Sequence, residues 1–414
     1  MTVFHLIAAI TTLAALFAWV NYRFIRLPMT IGVMVLALVG SVLIVVAGRL
    51  GLIPVVELQA FIGEIDFHEM LLNGMLGALL FAGAMHVDLE RLLAKRALIL
   101  SLATVSVLLS TGIVAIAGYF LFAAVGLDIP FTWTMLFGAL IAPTDPIAVG
   151  AILRKAGVPP DLETTITGES LFNDGVGVVL FVMLLELSAG ASVTVASVAQ
   201  LLLVEVAGGV VYGAVVGWIV YRMLRVVDQH QVEILLTLAL VTGGYAFAHA
   251  LHVSGPLAMV VAGLLIGNRG RRFAMSEMTK VRLDQFWELV DEFLNAVLFV
   301  LIGLEVVVLE ATPATVLAAV LAIPLVLLAR YVSVALSVKL LPSGRELPRG
   351  AVSILTWSGL RGGISVALAL SLPVGSHRPE LIAITYGVVC FSIIVQGLTV
   401  GPFSTRVLTR GAAR

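Results

Sequence analysis

Asp174 is a carboxylate inside a stretch of sequence that is otherwise apolar enough to cross a bilayer. It lies in the run GESLFNDG at residues 168–175. An acidic side chain at membrane depth costs roughly 2.5 kcal/mol or more, even on insertion scales. Acids that are kept at that depth usually move protons or ions. The sequence therefore points to proton or ion transfer as the chemistry of this chain.

The residues around Asp174 extend this polar feature along a helix. Ser170 lies four residues before Asp174, and Glu169 lies four before Asn173. Residues four apart share a helix face, so the two pairs together make one broad polar face. Its oxygen atoms suit a small hard cation. Because burial disfavours the charged form of a carboxylate, a proton and a cation are expected to compete for Asp174.

The composition indicates an all-α, polytopic membrane protein. The 414 residues are 60% hydrophobic and only 12% charged, with a net charge of −1. Soluble domains carry about 25% charged residues. The near-neutral charge argues against a nucleic-acid partner, and the expected surroundings are the lipid bilayer. We find neither a metal-ligand cluster nor a Ser/His/Asp set, so we predict no enzyme activity and no cofactor.

A spanning helix needs about 20 apolar residues. This length predicts about thirteen transmembrane helices in a single domain covering 1–414, with no soluble domain. The predicted spans are 3–22, 28–48, 69–87, 97–125, 131–153, 163–188, 195–221, 232–251, 254–268, 286–308, 314–338, 350–372 and 380–400.

The basic residues give the predicted orientation. With the N-terminus outside and the C-terminus cytoplasmic, all but four of the 24 lysines and arginines fall in inside loops or the C-terminal tail. Arg49 and Arg378 fall outside, and Arg330 and Arg361 fall within spans. This bias is what the positive-inside rule requires. One missed or invented helix would destroy it.

Two predicted spans contain helix-weakening residues near their middle. In span five, Pro143 and Pro146 flank Thr144 and Asp145. In span twelve, three glycines surround Arg361. Proline removes a backbone donor, and glycine weakens a helix. Free backbone groups are tolerated at membrane depth only where protein or a cavity surrounds them. The sequence therefore predicts two broken helices that cross.

The predicted breaks lie at the depth of the acidic site. Thr144, Asp174 and Arg361 all fall roughly 16–20 Å into the membrane at 1.5 Å per residue. Paired interrupted helices in two halves of a chain are typical of a secondary-transporter site. The predicted units are inverted repeats at about 1–190 and 230–414, joined by a connector helix at 195–221.

Four runs of sequence carry a family resemblance. The runs are TDP at 144–146, GESLFNDG at 168–175, FVLIGLE at 299–305 and GLRGG at 359–363. Together they resemble signature runs of the bacterial Na⁺/H⁺ antiporters of the monovalent cation:proton antiporter family, which are related to eukaryotic sodium/hydrogen exchangers. The resemblance implies a homodimeric exchanger of the elevator type in the bacterial inner membrane, with electroneutral transport.

The resemblance also implies roles for individual residues. The aspartate matching Asp174 carries the ion, and a glutamate matching Glu169 pairs with an arginine matching Arg361. The residues that surround the ion match Thr144, Asp145, Ser170 and Asn173. One departure concerns Ala82, which stands where some relatives have an acid. That departure leaves the choice of cation open.

The leading prediction is exchange of Na⁺ or Li⁺ for H⁺. Asn173 is an amide where a second carboxylate could have stood, so one exchanging carboxylate predicts one-for-one, electroneutral transport. A K⁺/H⁺ antiporter remains an alternative. A cation channel is a weaker one, because the sequence lacks a pore-loop filter. We expect Arg330 to pair with Asp291 and Glu292 in a structural role.

Overall fold

The computed structural model describes residues 3–52, 70–145, 147–188, 203–309, 312–375 and 377–412. Within these ranges the chain is helical apart from short connections and one isolated antiparallel β-bridge. Pro146 and the first part of the predicted connector, residues 195–202, lie outside the described residues. The overall class, a nearly all-helical protein, agrees with the sequence.

We number the described helices in chain order. They are α1 (Val3–Val20), α2 (Met29–Arg49), α3 (Leu76–Met85), α4 (Leu89–Ala94), α5 (Arg96–Ala103), α6 (Val105–Ala124), α7 (Phe131–Ile141), α8 (Ile147–Lys155), α9 (Pro160–Ser188), α10 (Gly208–Leu224), α11 (His230–Ala250), α12 (Gly255–Leu265), α13 (Arg271–Phe273), α14 (Glu277–Glu305), α15 (Pro313–Leu340), α16 (Pro342–Arg345), α17 (Ala351–Trp357), α18 (Gly363–Leu370), α19 (Arg378–Phe391) and α20 (Gly397–Ala412). Turns of π-helix lie at Asn21–Ile25, Met70–Met75, Leu203–Ala207, Ile266–Gly270 and Ser392–Gln396.

Eight helical stretches in the described ranges are long and apolar enough to cross a membrane. They are His5–Ile25, Met29–Gly48, Arg96–Ala124, Pro160–Ser188, Val204–Leu224, His230–Ala250, Pro313–Leu340 and Arg378–Arg410. The remaining predicted spans fall on helices that are shorter, interrupted or richer in charge, such as α3, α7 and α14. The total of thirteen spans therefore stays a prediction.

The main hydrophobic core encloses the interrupted helices. It contains Phe137 of α7, Val300 of α14, Val366 of α18 and Ile384 of α19, all nearly inaccessible. Helices α14, α15 and α19 thus surround the middle of the molecule together with the second half of α9, which adds Phe181 to the same core. Their apolar side chains exclude water from the backbone of α7 and α18.

Helices α10 and α12 approach each other along a row of small residues. Gly209, Gly213 and Gly217 lie four residues apart on one face of α10. A Cβ added at Gly213 would lie 2.7 Å from Ala258 Cα, and one at Gly217 would lie 3.1 Å from Ala262 Cα. In a bilayer, where lipid is as apolar as leucine, such close backbone contact is a main source of helix association.

We expect Gly213→Ala to destabilise the protein, because the added methyl group meets backbone atoms that cannot rotate away. Overpacking of this kind costs about 1–3 kcal/mol. Thermal unfolding of the detergent-purified protein measures the effect as a lower midpoint. Gly243→Ala in α11 is the matched control, because a Cβ there meets nothing within 4 Å. Equal midpoints for the two variants would contradict the packing role of Gly213.

Candidate functional site

The two interrupted helices meet at their breaks. The described break residues between α7 and α8 are 142–145, and those between α17 and α18 are 358–362. The Asp145 amide donates a hydrogen bond of 2.8 Å to the Leu360 carbonyl, and this bond forms the antiparallel bridge. The two non-helical segments are therefore in direct contact in the interior, and this point of contact is named the crossing.

Helix α9 brings two of the predicted site residues, Ser170 and Asn173, against Thr144 of the first break. The Asn173 amide nitrogen donates to Thr144 Oγ1 at 2.8 Å, and the Thr144 amide donates to Asn173 Oδ1 at 3.3 Å. Thr144 Oγ1 and Ser170 Oγ lie 3.1 Å apart. All three side chains are buried, between 0% and 3% exposed. Asn173 thus holds the break in place through both its donor and its acceptor.

Asp174 lies beside this cluster and is 4% exposed. The hydrogen bonds found among the described residues include none to its carboxylate. It lies close enough to Asp145 for the two negative charges to repel each other. The Asp145 carboxylate in turn lies directly against Gly362, where a larger residue would overlap it. The predicted residues Asp174, Asp145, Thr144, Ser170 and Asn173 are therefore neighbours in the fold.

The predicted ion pair between Glu169 and Arg361 is wrong, because the arginine that pairs with Glu169 is a different one. Glu169, buried in α9, is held instead by Arg330 of α15. Arg330 Nη1 donates to Glu169 Oε1, and Nη2 donates to Oε2 at 2.9 Å. Arg330 Nη2 also donates to the Leu355 carbonyl at 3.3 Å. This two-pronged geometry suits a guanidinium and a carboxylate particularly well.

The expected pairing of Arg330 with Asp291 and Glu292 is therefore also wrong. Both prongs of the Arg330 guanidinium face Glu169. A lone arginine in the apolar span of α15 requires an acidic partner at the same depth, and Glu169 lies at that depth on α9. The sequence therefore indicated that Arg330 and Glu169 lie at similar depth. Counting residues along each span does not reveal, however, which helices are neighbours.

Arg361 binds the backbone of the first break. Its Nη1 donates to the Ala142 carbonyl and, at 2.9 Å, to the Pro143 carbonyl. Its own amide donates to Ser392 Oγ at 2.8 Å. The last carbonyls of a helix have no partner within the helix, and the helix dipole makes that end negative. The charge of Arg361 is therefore used at the C-terminal end of α7, although Glu169 is near enough to interact with it electrostatically.

Gly359 makes room for two of these contacts at once. A Cβ at this position would lie 2.9 Å from Arg330 Nε and 3.2 Å from Thr144 Cγ2. Any side chain would push the arginine or the threonine away from the crossing. The second break therefore positions both the ion pair and the threonine of the oxygen cluster.

Ala82 lies in α3 and is 2% exposed. A Cβ on the adjacent Gly83 would lie 3.6 Å from Leu171 Cδ2, so α3 adjoins α9 near the oxygen cluster. An alanine side chain supplies no oxygen.

We expect Glu169 and Arg330 to be coupled in stability. Removing one partner of a buried pair costs about 3–5 kcal/mol, because the other charge is left without a partner. Arg330→Ala should therefore unfold at a much lower temperature than the unmodified protein in detergent. Combining it with Glu169→Ala should restore part of the loss.

The matched control for this coupling is the combination of Glu169→Ala with Arg361→Ala. Arg361 binds carbonyls, so this double variant should lose stability nearly additively. If Glu169→Ala rescued Arg361→Ala better than Arg330→Ala, the assignment of the pair would be wrong.

Comparisons with known proteins give the family of this chain. The family model described as sodium/hydrogen exchanger, transmembrane, matches residues 10–406. The chain is 51% identical over 408 residues to the Na⁺/H⁺ antiporter NhaP of Pseudomonas aeruginosa, covering 97% of this chain and 96% of that protein. It is 34% identical over 374 residues to the Na⁺/H⁺ antiporter NhaH of Halobacillus dabanensis, covering 87% and 90% of the two.

The fold is also similar to that of a solved structure. The sodium proton antiporter MjNhaP1 from Methanocaldococcus jannaschii at pH 8 superposes with a TM-score of 0.74 over 99% of both chains. Its sequence is 18% identical, so this likeness concerns the fold alone. With the family model matching nearly the whole chain and a relative sharing half of its residues, this integral membrane protein belongs to the transmembrane sodium/hydrogen exchanger family.

Proposed function

We propose that this chain exchanges Na⁺ or Li⁺ for H⁺ across the membrane, with Asp174 binding the cation and the proton in turn. The observation that carries the proposal is the buried Asp174 carboxylate beside a cluster of oxygen atoms at the crossing. The relatives named as Na⁺/H⁺ antiporters support the same activity. Two partners that neutralise one carboxylate exclude each other, which is the requirement for exchange.

The ligands proposed for the cation are all oxygen atoms. Asp174 supplies a carboxylate, Thr144 and Ser170 supply hydroxyl groups, and Asp145 supplies a second carboxylate. Small hard cations prefer such ligands. Asn173 is proposed to act by fixing Thr144 through its two hydrogen bonds, and not as a charged ligand. Glu169 is excluded from ion binding because Arg330 engages both of its oxygens.

The proposed exchange is electroneutral, one for one. Asn173 carries no charge, and the Glu169–Arg330 pair is neutral as a unit. Asp174 then changes partner while the other charges stay constant, so the loaded site has the same net charge with Na⁺ or with H⁺. The movement of the loaded site across the membrane would carry the same charge in both directions.

Alternating access is proposed to follow from the cost of a bare charge. A carboxylate without a counter-charge is expensive to move through an apolar barrier, and a neutralised one is less so. The part of the protein that contains the crossing should therefore move across the membrane only when Asp174 has bound a cation or a proton. This is an elevator-type mechanism. Inverted repeats, a homodimer, the inner membrane and a cytoplasmic C-terminus complete this proposal.

The exchange predicts that Asp174→Asn abolishes cation-driven proton movement. The amide is uncharged and can neither take up and release a proton nor attract a cation as a carboxylate does, so neither ion is carried across the membrane. Proteoliposomes with an imposed pH gradient, given Na⁺, Li⁺ or K⁺ in turn, measure the collapse of the gradient with a pH-sensitive dye. The variant should match protein-free liposomes.

Asp128→Asn is the matched control, because Asp128 is an exposed acid outside any described helix. It should transport like the unmodified protein. Retained Na⁺-driven proton movement in Asp174→Asn would refute the assignment of Asp174.

Electroneutrality predicts no transport current. In proteoliposomes clamped at a fixed potential with valinomycin and K⁺, the initial rate of Na⁺/H⁺ exchange should not change with the potential. One elementary charge moved across 100 mV is worth about 2.3 kcal/mol, so an electrogenic cycle would respond strongly. A rate that rises with an inside-negative or inside-positive potential would rule out one-for-one exchange.

A further inference from the structure

Asp291 and Asn295 form a polar pair halfway along α14. They are four residues apart and share a helix face. Asn295 is 1% exposed, and Asp291 is partly buried. Asn295 Nδ2 donates to the Asp291 carbonyl at 2.8 Å, and its amide also lies beside the Asp291 carboxylate. The Oδ1 atom of each side chain is buried and accepts no hydrogen bond from another described residue.

This face of α14 points toward the crossing. Leu298 lies one turn beyond the pair and contacts the start of α18, where a Cβ added at Gly363 would lie 2.6 Å from Leu298 Cδ1. The Asp291 carboxylate interacts electrostatically with Asp145, and Asp145 does so with Asp174. The charge of Asp145 at the first break therefore acts on the carboxylate of α14 and on that of Asp174.

The charges around Asp291 on α14 are negative. Glu288 and Glu292 are exposed and lie near enough to act on it electrostatically. Asp284, one turn further toward the start of the helix, is held by Arg271 at 2.7 Å. Negative potential lining a path raises the local concentration of cations. Two buried oxygen acceptors in such a potential are better matched by a cation than by a neutral donor.

We propose that Asp291 and Asn295 form a second site for a monovalent cation, which the ion occupies on its way between the water phase at the start of α14 and Asp174. This inference rests on the proposed exchange of Na⁺ or Li⁺ at Asp174. The two Oδ1 atoms and retained water supply the ligands.

Kinetics of the reconstituted protein test the second site. Asp291→Asn should raise the KM for Na⁺ by about fivefold or more, since it removes a full charge from a poorly screened site. This change should appear for Na⁺ offered on the face where α14 begins, with kcat and the KM from the opposite face unchanged. Glu292→Gln, the neighbouring exposed acid, is the matched control and should leave both KM values unchanged.

A structural role for Asp291 makes a different prediction. It would lower kcat or the amount of folded protein and leave the KM for Na⁺ unaltered on both faces. That result, or equal KM values for Asp291→Asn and the unmodified protein, would overturn the proposal. Asn295→Ala gives an independent variant, because it removes one acceptor without changing the charge, and it should raise the same KM.

Direct binding separates this inference from the proposed exchange. Crystals of the unmodified protein and of Asp174→Asn, soaked in Tl⁺ as a heavy monovalent cation, should both show anomalous density between Asp291 and Asn295. Density at Asp174 alone would overturn the second site and leave the exchange intact. Density at Asp291 in a protein that moves no protons with Na⁺ would uphold the second site and refute the exchange.

Discussion

The site depends on arginine side chains that bind free backbone carbonyls in the interior. A helix that stops inside a bilayer leaves carbonyl groups that water cannot reach, and each of them costs several kcal/mol if it finds no partner. Arg361 binds the carbonyls of Ala142 and Pro143 at the end of α7. Arg330 binds the carbonyl of Leu355 near the end of α17. Without these donors the two segments of the chain could not both be non-helical at the same depth. The backbone that positions the oxygen cluster would then be lost.

The same two arginines also compensate negative charge around the oxygen cluster. Arg330 neutralises Glu169 while it binds a carbonyl, and Arg361 is directed at the negative end of α7. Neither guanidinium is bound to Asp174. A carboxylate with a permanent arginine partner would hold neither a proton nor a cation that it could release. The arrangement therefore keeps the positive charges needed for folding apart from the acid that is proposed to exchange its partner.

Helix α14 connects the crossing with the region around its own start. The C-terminal half of α14 belongs to the apolar core, through residues such as Val300. Around its midpoint it carries Asp291, which is partly buried, next to the exposed acids Glu288 and Glu292. The negative charge of Asp145 acts both on Asp291 and on Asp174. The proposed second site on α14 is therefore coupled by charge to the acids of the first break.

The sequence by itself determined the class, the family and the residues of the oxygen cluster. Hydropathy sets the helical content, the comparisons confirmed the family resemblance, and the spacing of Ser170, Asn173 and Asp174 puts them on one helix face. Only the tertiary structure decided that Arg330 holds Glu169 and that Arg361 binds carbonyls. Depth along a span can be counted from sequence, but which helices adjoin cannot, since that depends on packing between residues far apart in the chain. Arg330 and Arg361 are both single arginines within apolar spans, so the sequence does not distinguish their roles. Their partners differ because their helices lie at different positions in the fold.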